Sequence, residues 1–234
     1  MISLLQNHWL PLLLSAVCGY LLGSINWAII ITRYIFRKDI RTEGSGNAGA
    51  TNVLRNHGHG PAILTTIGDM TKSMLAVAVG SLLLSHLHLP IVEAVTMPQW
   101  IGDNLSLIGG YVAGIFCLLG HDFPVFYGFR GGKGVLTTLG MFLLLDWRVA
   151  TACLGVFILI VALSRMVSLG SILAIGCGPA LLYVLNRGVN PDKAVFCTVA
   201  ALIVWLLVVW QHRENIRRIA AGTENRLGKG AEKK

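Results

Sequence analysis

Long apolar runs constrain this chain more than any other feature. They cover Leu10–Thr32, Pro61–Leu87, Asn104–Gly120, Val149–Leu163, Leu169–Leu185 and Ala194–Gln211. About 20 apolar residues cross a bilayer as helix, and lipid offers no partner to an unpaired backbone group, so helices and closed barrels are the only spanning solutions. Runs this continuous read as helices. Turn signals separate them at Pro90, Pro98-Gln99, Pro124, Asp146-Trp147 and Asn190-Pro191. The composition agrees: 54% of residues are hydrophobic and only 13% charged, against about 25% charged in soluble domains. The expected fold is all-α, a polytopic membrane helix bundle forming a single integral-membrane domain over residues 1–234.

Val135–Leu145 is a further apolar run of eleven residues, short for a full crossing. Charge decides how to count it. If it crosses, there are about seven transmembrane helices, the N-terminus lies outside and the C-terminus is cytoplasmic. All but Lys72, Arg148, Arg187 and Lys193 of the nineteen Lys and Arg residues then fall on the cytoplasmic side, as the positive-inside rule requires. If it does not cross, the later segments invert and the basic tail at about 213–234 moves outside. Seven spans is the expected count.

The net charge of +8 does not point to nucleic acid, because the basic residues are scattered among spans and form no stripe. The N-terminus has no Lys or Arg before Arg33 and its apolar run exceeds a signal-peptide core, so no signal peptide is expected. Cys18, Cys117, Cys153, Cys177 and Cys197 lie in apolar surroundings without a Cys-x-x-Cys, and read as small buried hydrophobes.

On this map every polar run faces the cytoplasm. The first is Gly44-Ser45-Gly46-Asn47-Ala48-Gly49-Ala50-Thr51-Asn52, closed by Arg55 and preceded by Asp39-Ile40-Arg41. Glycine lets backbone approach a ligand, and successive backbone amides can cradle an anion. The second runs from Gly120-His121-Asp122-Phe123-Pro124 through Arg130-Gly131-Gly132-Lys133-Gly134. It is not a nucleotide loop of the Walker A kind: Tyr127 stands where the first glycine should be and Gly134 where Ser or Thr should follow Lys. Backbone exposed around one cation still suits a phosphate. The third run, Ser168-Leu169-Gly170-Ser171, reads more simply as an ordinary turn. The fourth is His212-Arg213-Glu214-Asn215-Ile216-Arg217 with Gly222-Thr223-Glu224.

These four runs resemble the signature of the bacterial membrane-bound acyl-phosphate:glycerol-3-phosphate acyltransferases, over nearly the whole chain from Gly23-Ser24 to Glu224. Departures are mild: Arg130 stands where Lys is common, Leu136 where Ala is, and Ser73 where Gly usually follows the Asp69-x-x-Lys72 pair. The resemblance implies transfer of a fatty acyl group from acyl phosphate to the 1-hydroxyl of glycerol 3-phosphate, an early step of phospholipid biosynthesis that yields lysophosphatidic acid and phosphate. It implies a bacterial inner-membrane enzyme with its site on the cytoplasmic face, surrounded by membrane lipid, and an acyl-phosphate-generating enzyme as partner. No cofactor or metal is expected.

No nucleophile motif is present. None of the seven histidines has Asp five residues on; His88 has Glu93 there, but on the outer side, and no Gly-x-Ser-x-Gly elbow occurs. An acyl phosphate already carries a good leaving group, so positioning and electrostatics can suffice. Ser45, Lys133 and His212 are the expected catalytic residues. Gly44, Gly46, Asn47, Thr51, Asn52, Arg55, Gly131, Gly132, Ser168, Ser171 and Asn215 are the expected substrate-binding ones, with Thr51 and Asn52 either binding substrate or bracing their loop. Asp69 and Lys72, three apart in one span, either brace the pocket or only neutralise each other for insertion. His121 is expected to cap or brace the Phe123–Pro124 turn, and His57, His59, His86 and His88 to be loop residues without a third metal ligand. The tail from Arg217 reads as a solvated cationic segment suited to anionic headgroups. A transporter for an organic phosphate would put its binding groups near mid-membrane between related halves, and no internal repeat is seen. A non-catalytic scaffold leaves the Gly-rich loops without a reason.

Overall fold

A computed structural model describes residues 2–87 and 99–228, with side chains from residue 8 onward. His88, Pro90, Glu93, Pro98 and the tail from Lys229 lie outside the described residues. Among the described residues every regular element is helical, and the helices group into two compact units, Met1–Asp146 and Trp147–Lys234. Six segments are long and apolar enough to cross a membrane: His8–Phe36, His59–His86, Leu105–Tyr127, Trp147–Ser164, Val167–Asn186 and Pro191–Gln211.

The first unit contains α1 (Ile2–Ser24), α2 (Trp27–Phe36), α3 (Ala50–His57), α4 (His59–His86), α5 (Gln99–Asp103), α6 (Leu105–Asp122) and α7 (Val135–Leu145). Here α1, α4 and α6 pack on one another and α7 joins α4 and α6. Small residues let the backbones approach, as in other membrane helices. A Cβ at Gly19 or Gly23 of α1 would come within 2.3 Å of Ala113 O or 2.0 Å of Cys117 O on α6. Gly80 of α4 and Gly109 of α6 are in the same position against each other's carbonyls, at 2.3 and 2.1 Å. Leu84, Tyr111, Leu118 and Phe142 fill the interior between them.

The first apolar run is not one helix. Reading Leu10–Thr32 as a single span misses a break at Ile25 and Asn26, after which α2 begins. The carboxamide oxygen of Asn26 accepts from Ile29 N at 3.1 Å, which caps α2. At 28 residues, α4 is about 42 Å long at 1.5 Å per residue, more than the ~30 Å hydrocarbon core. It therefore also packs on α2 and α3, with Gly68 directly beneath the ring of Trp27. The run Val135–Leu145 is a helix with the bounds its sequence suggests.

The second unit contains α8 (Trp147–Ser164), α9 (Val167–Asn186), α10 (Pro191–Gln211) and the short α11 (Arg213–Ala220). Helix α9 packs on both α8 and α10. Gly170 fits against Phe157 and Val161. Gly176 leaves room for Trp205, whose indole N–H donates to Ile172 O at 3.0 Å. Ile158, Leu159 and Leu163 of α8 and Val195 and Leu206 of α10 stay exposed; in lipid that exposure carries no hydrophobic cost. The five cysteines are free thiols, buried or half-buried within the helices.

Candidate active site

In the first unit the polar run from Gly44 is a turn that feeds α3. Gly44 and Gly46 take left-handed φ of 55° and 70°, which is why glycine is needed at both. Asn52, fully buried, organises the turn. Its amide nitrogen donates to Ile40 O, Glu43 O and Asn47 O at 3.0–3.1 Å, and its oxygen accepts from Ser45 N at 3.0 Å and from Asn56 Nδ2 at 3.0 Å. Through these bonds Asn52 braces the loop. Ser45 is exposed, with its amide held and its hydroxyl unpartnered among the described residues. Thr51 and the exposed Arg55 lie four apart on α3, on one helix face.

This loop is fastened to the second polar run. Arg41 donates through Nη1 to Tyr127 O and Arg130 O, while its Nε and Nη2 grip Asp39 at 2.8–3.3 Å. Arg41 and Arg33 hold the Asp39 carboxyl well below the usual carboxylate range, against burial. Ala48 N donates to Gly131 O at 3.4 Å. Lys38 and His57 flank Glu43, at 3.1 and 2.6 Å, and lower its pKa. His57 is no loop residue: it closes α3, stacked on Phe36 with ring centroids 4.2 Å apart. His59 and His86 are likewise helical, as the first and last residues of α4.

Gly131 and Gly132 are needed for packing. A Cβ at Gly131 would lie 2.0 Å from His121 O, and one at Gly132 2.0 Å from His121 Nε2. His121 accordingly braces the Gly131–Gly132 strap rather than capping the Phe123–Pro124 turn. That turn is held by Tyr20, whose hydroxyl donates to Phe123 O at 2.8 Å. The half-buried Lys133 follows, then Gly134 at φ 68°, then α7, whose N-terminus has no side-chain cap. Thr137 and Thr138 in its first turns are buried with hydroxyls unpartnered among the described residues. A glycine-rich loop opening a helix is a favourable anion site. Thr137 and Thr138 are not among the residues expected from sequence, although two hydroxyls three and four residues after Gly134 were a signal.

In the second unit the third and fourth runs meet on Glu224. Its carboxylate accepts from Ser168 Oγ at 2.8 Å, Asn215 Nδ2 at 2.7 Å and Arg218 Nε at 2.9 Å, with only 4% of its side chain exposed. Burial pushes this carboxyl up, and the three donors outweigh it, leaving the pKa below the ordinary value. Leu227 N also donates to Arg165 O. The tail up to residue 228 is thus anchored at Glu224 and Leu227, while Arg217, residues 220–223, Asn225 and Arg226 are exposed as expected. Ser171 Oγ back-bonds to Val167 O at 2.9 Å. His212, buried between α10 and α11, has Nδ1 2.8 Å from Val208 O. A neutral ring donating there presents Nε2 as an acceptor.

Residues 13–222 match the family model for glycerol-3-phosphate acyltransferase. The chain belongs to that family. The curated glycerol-3-phosphate acyltransferase of Clostridioides difficile (strain 630) is 39% identical over 93% of this chain and 96% of its own length. That of Synechococcus sp. (strain CC9902) is 39% identical over 92% and 95%. Two crystal structures of PlsY (YgiH), an integral membrane glycerol 3-phosphate acyltransferase, superpose with TM-scores of 0.75 and 0.73 at 32% and 31% identity, each over 93% of this chain and over 96% and 95% of its own. They are its glycerol 3-phosphate and lysophosphatidic acid forms. The family match takes in the first three polar runs and the fourth as far as Gly222, ending two residues before Glu224. The match at this coverage makes the chain a multi-pass membrane acyltransferase.

Proposed function

We propose that this acyltransferase moves a fatty acyl group from acyl phosphate to the 1-hydroxyl of glycerol 3-phosphate, releasing phosphate and lysophosphatidic acid. The observation that carries the reading is the clasped pair of loops in the first unit, where a Ser45 hydroxyl unpartnered among the described residues, a Gly-rich strap with Lys133 and a helix N-terminus without a side-chain cap occur together. Such groups suit two phosphorylated substrates. The C1 hydroxyl oxygen attacks the acyl carbonyl carbon, the bond from that carbon to the phosphate oxygen breaks, and a phosphate oxygen accepts the hydroxyl proton. No covalent acyl-enzyme is needed, because the donor is already a mixed anhydride.

Ser45 and its neighbouring amides, including Gly44, Gly46 and Asn47, hold the acyl phosphate, and Thr51 borders them. Lys133, with Gly131 and Gly132 shaping its loop, and Arg55 neutralise phosphate charge. In the second unit Ser171, His212 and Asn215 serve substrate, with Ser168 setting Asn215 through Glu224. Charge distribution supports seven crossings, an outer N-terminus and a cytoplasmic reaction face in the bacterial inner membrane, where an acyl-phosphate-generating enzyme would deliver the donor.

The test mixes purified protein with acyl phosphate and glycerol 3-phosphate and follows phosphate release and lipid product. Stoichiometric phosphate and lysophosphatidic acid are expected, with no turnover of acyl-CoA or acyl carrier protein thioesters. Thioester-dependent product would overturn the donor. Uptake of labelled glycerol 3-phosphate into proteoliposomes without acyl-phosphate consumption would overturn the reaction in favour of transport.

A further inference from the structure

Lys72 is buried in the middle of α4, where a lone ammonium would be costly. Its Nζ donates to Gly23 O at 3.0 Å and to Ile25 O at 2.7 Å, lies 2.9 Å from His121 Nδ1, and pairs with Asp69 Oδ1 at 2.9 Å. An ammonium has three N–H donors. The two carbonyls and the ring nitrogen take all three, and Asp69, one turn away and equally buried, supplies the countercharge. A ring that accepts at Nδ1 carries its proton on Nε2.

Both carbonyls belong to the break between α1 and α2. The last carbonyls of a helix have no partner within it, and non-helical backbone at membrane depth survives only where protein satisfies it. Lys72 satisfies it, and a cation at a helix C-terminus is favourable. The break in turn places Asn26, which caps α2 and donates to Ala48 O of the first polar loop at 3.4 Å. On the other side, the Nε2 edge of His121 lies against Gly132, and Gly132 N donates to His121 O at 3.1 Å. One ammonium thus holds the foundations of both loops. A pair present only to let α4 insert would require Asp69 and Lys72 to neutralise each other and nothing more.

We infer that Lys72, held by Asp69 and acting through His121 and the α1–α2 break, is a positioning residue that sets the Ser45 loop and the Lys133 loop in register for acyl transfer. The inference rests on the reading that these loops hold substrate; Lys72 and His121 themselves do not touch it.

The test uses full-length protein in nanodiscs, assayed with acyl phosphate and glycerol 3-phosphate. Asp69→Asn with Lys72→Met removes both charges together and leaves no buried unpaired ion. This variant is expected to insert and to melt below the parent, because the Gly23 and Ile25 carbonyls lose their donor, and in its folded state to lose about tenfold to a hundredfold in kcat/KM, the scale of a small misplacement. His121→Phe, which cannot accept from Lys72, is expected to lose a similar factor. His121→Asn, whose side-chain oxygen can stand for Nδ1, should recover most of it. Hydrogen exchange at the Gly131 and Gly132 amides should quicken in the first two variants and not in the third. Parental kcat/KM and parental exchange in the charge-neutral variant would overturn the inference and leave the pair an insertion device. If that variant does not fold, parental kinetics in His121→Phe overturn it instead. Lys133→Ala in the same assay separates the two readings: turnover there would sink the loop assignment itself, whereas a dead Lys133→Ala beside parental Lys72 and His121 variants sinks only the positioning role.

Discussion

Within the Gly44–Arg55 loop, Asn52 uses its whole side chain on neighbouring backbone and on Asn56, while Ser45 keeps its hydroxyl unpartnered among the described residues. Two neighbouring polar residues should therefore fail differently. Ser45→Ala is expected to leave the melting temperature unchanged and cut turnover by about 2.7–4 kcal/mol of transition-state stabilisation, a hundred- to a thousandfold. Asn52→Ala should lower both, costing about 1–3 kcal/mol of stability for the buried groups left unpaired. Parallel melting curves and phosphate-release rates check the pair. Glu224 makes a pH prediction. Its folded pKa lies below the ordinary value, so its contribution is complete above the ordinary carboxylate range and disappears as pH falls below it. Glu224→Gln should be less stable than the parent at neutral pH, and the gap should narrow as melts are repeated toward acid pH. The residue types at these positions, and the phosphate chemistry they suit, were legible in the chain. Which amide binds and which braces was not, because both use the same donors and acceptors and only the fold decides which partners are near.

The helices were legible to different depths. Apolar content alone located α4, α6, α8, α9 and α10 to within a few residues, and α7 at both ends, because turn signals and polar runs bound them sharply. The α1–α2 break escaped, since hydropathy stays high on both sides of Ile25 and a spanning run gives no reason to stop. The available signal was Asn26, a preferred cap residue directly before Trp27. Asn26→Ala is expected to cost about 1 kcal/mol and to loosen the first loop through the lost contact with Ala48 O. The α1–α6 contact should be less forgiving. A side chain at Gly23 meets the Cys117 carbonyl at 2.0 Å, and backbone there cannot yield as a flexible side chain can. Gly23→Val should lower the melting temperature sharply in detergent, while Gly155→Ala, where nothing lies within 4 Å, should not. Equal melting temperatures for the two variants would show that the approach of α1 to α6 does not hold the unit together.

For the whole molecule, charge and length pull differently on how α7 lies in the membrane. Its eleven residues span only about 16 Å at 1.5 Å per residue, roughly half the hydrocarbon thickness, yet counting it as a crossing is what gathers the basic residues on one side. A short helix can cross if flanking residues snorkel and the bilayer thins, at a modest cost per ångström. Single cysteines in a parent whose five native cysteines are replaced would decide. Lys38→Cys in the first unit and Thr223→Cys and Gly188→Cys in the second all lie at exposed positions. With seven crossings, an impermeant maleimide applied to intact cells should label only Gly188→Cys, and permeabilisation should add the other two. With six, the second unit inverts: Thr223→Cys would label in intact cells and Gly188→Cys would not, while Lys38→Cys would behave as before. That second pattern would carry His212 and Asn215 to the membrane face opposite the Ser45 loop, and the assignment of all four polar runs to one reaction would fall with it.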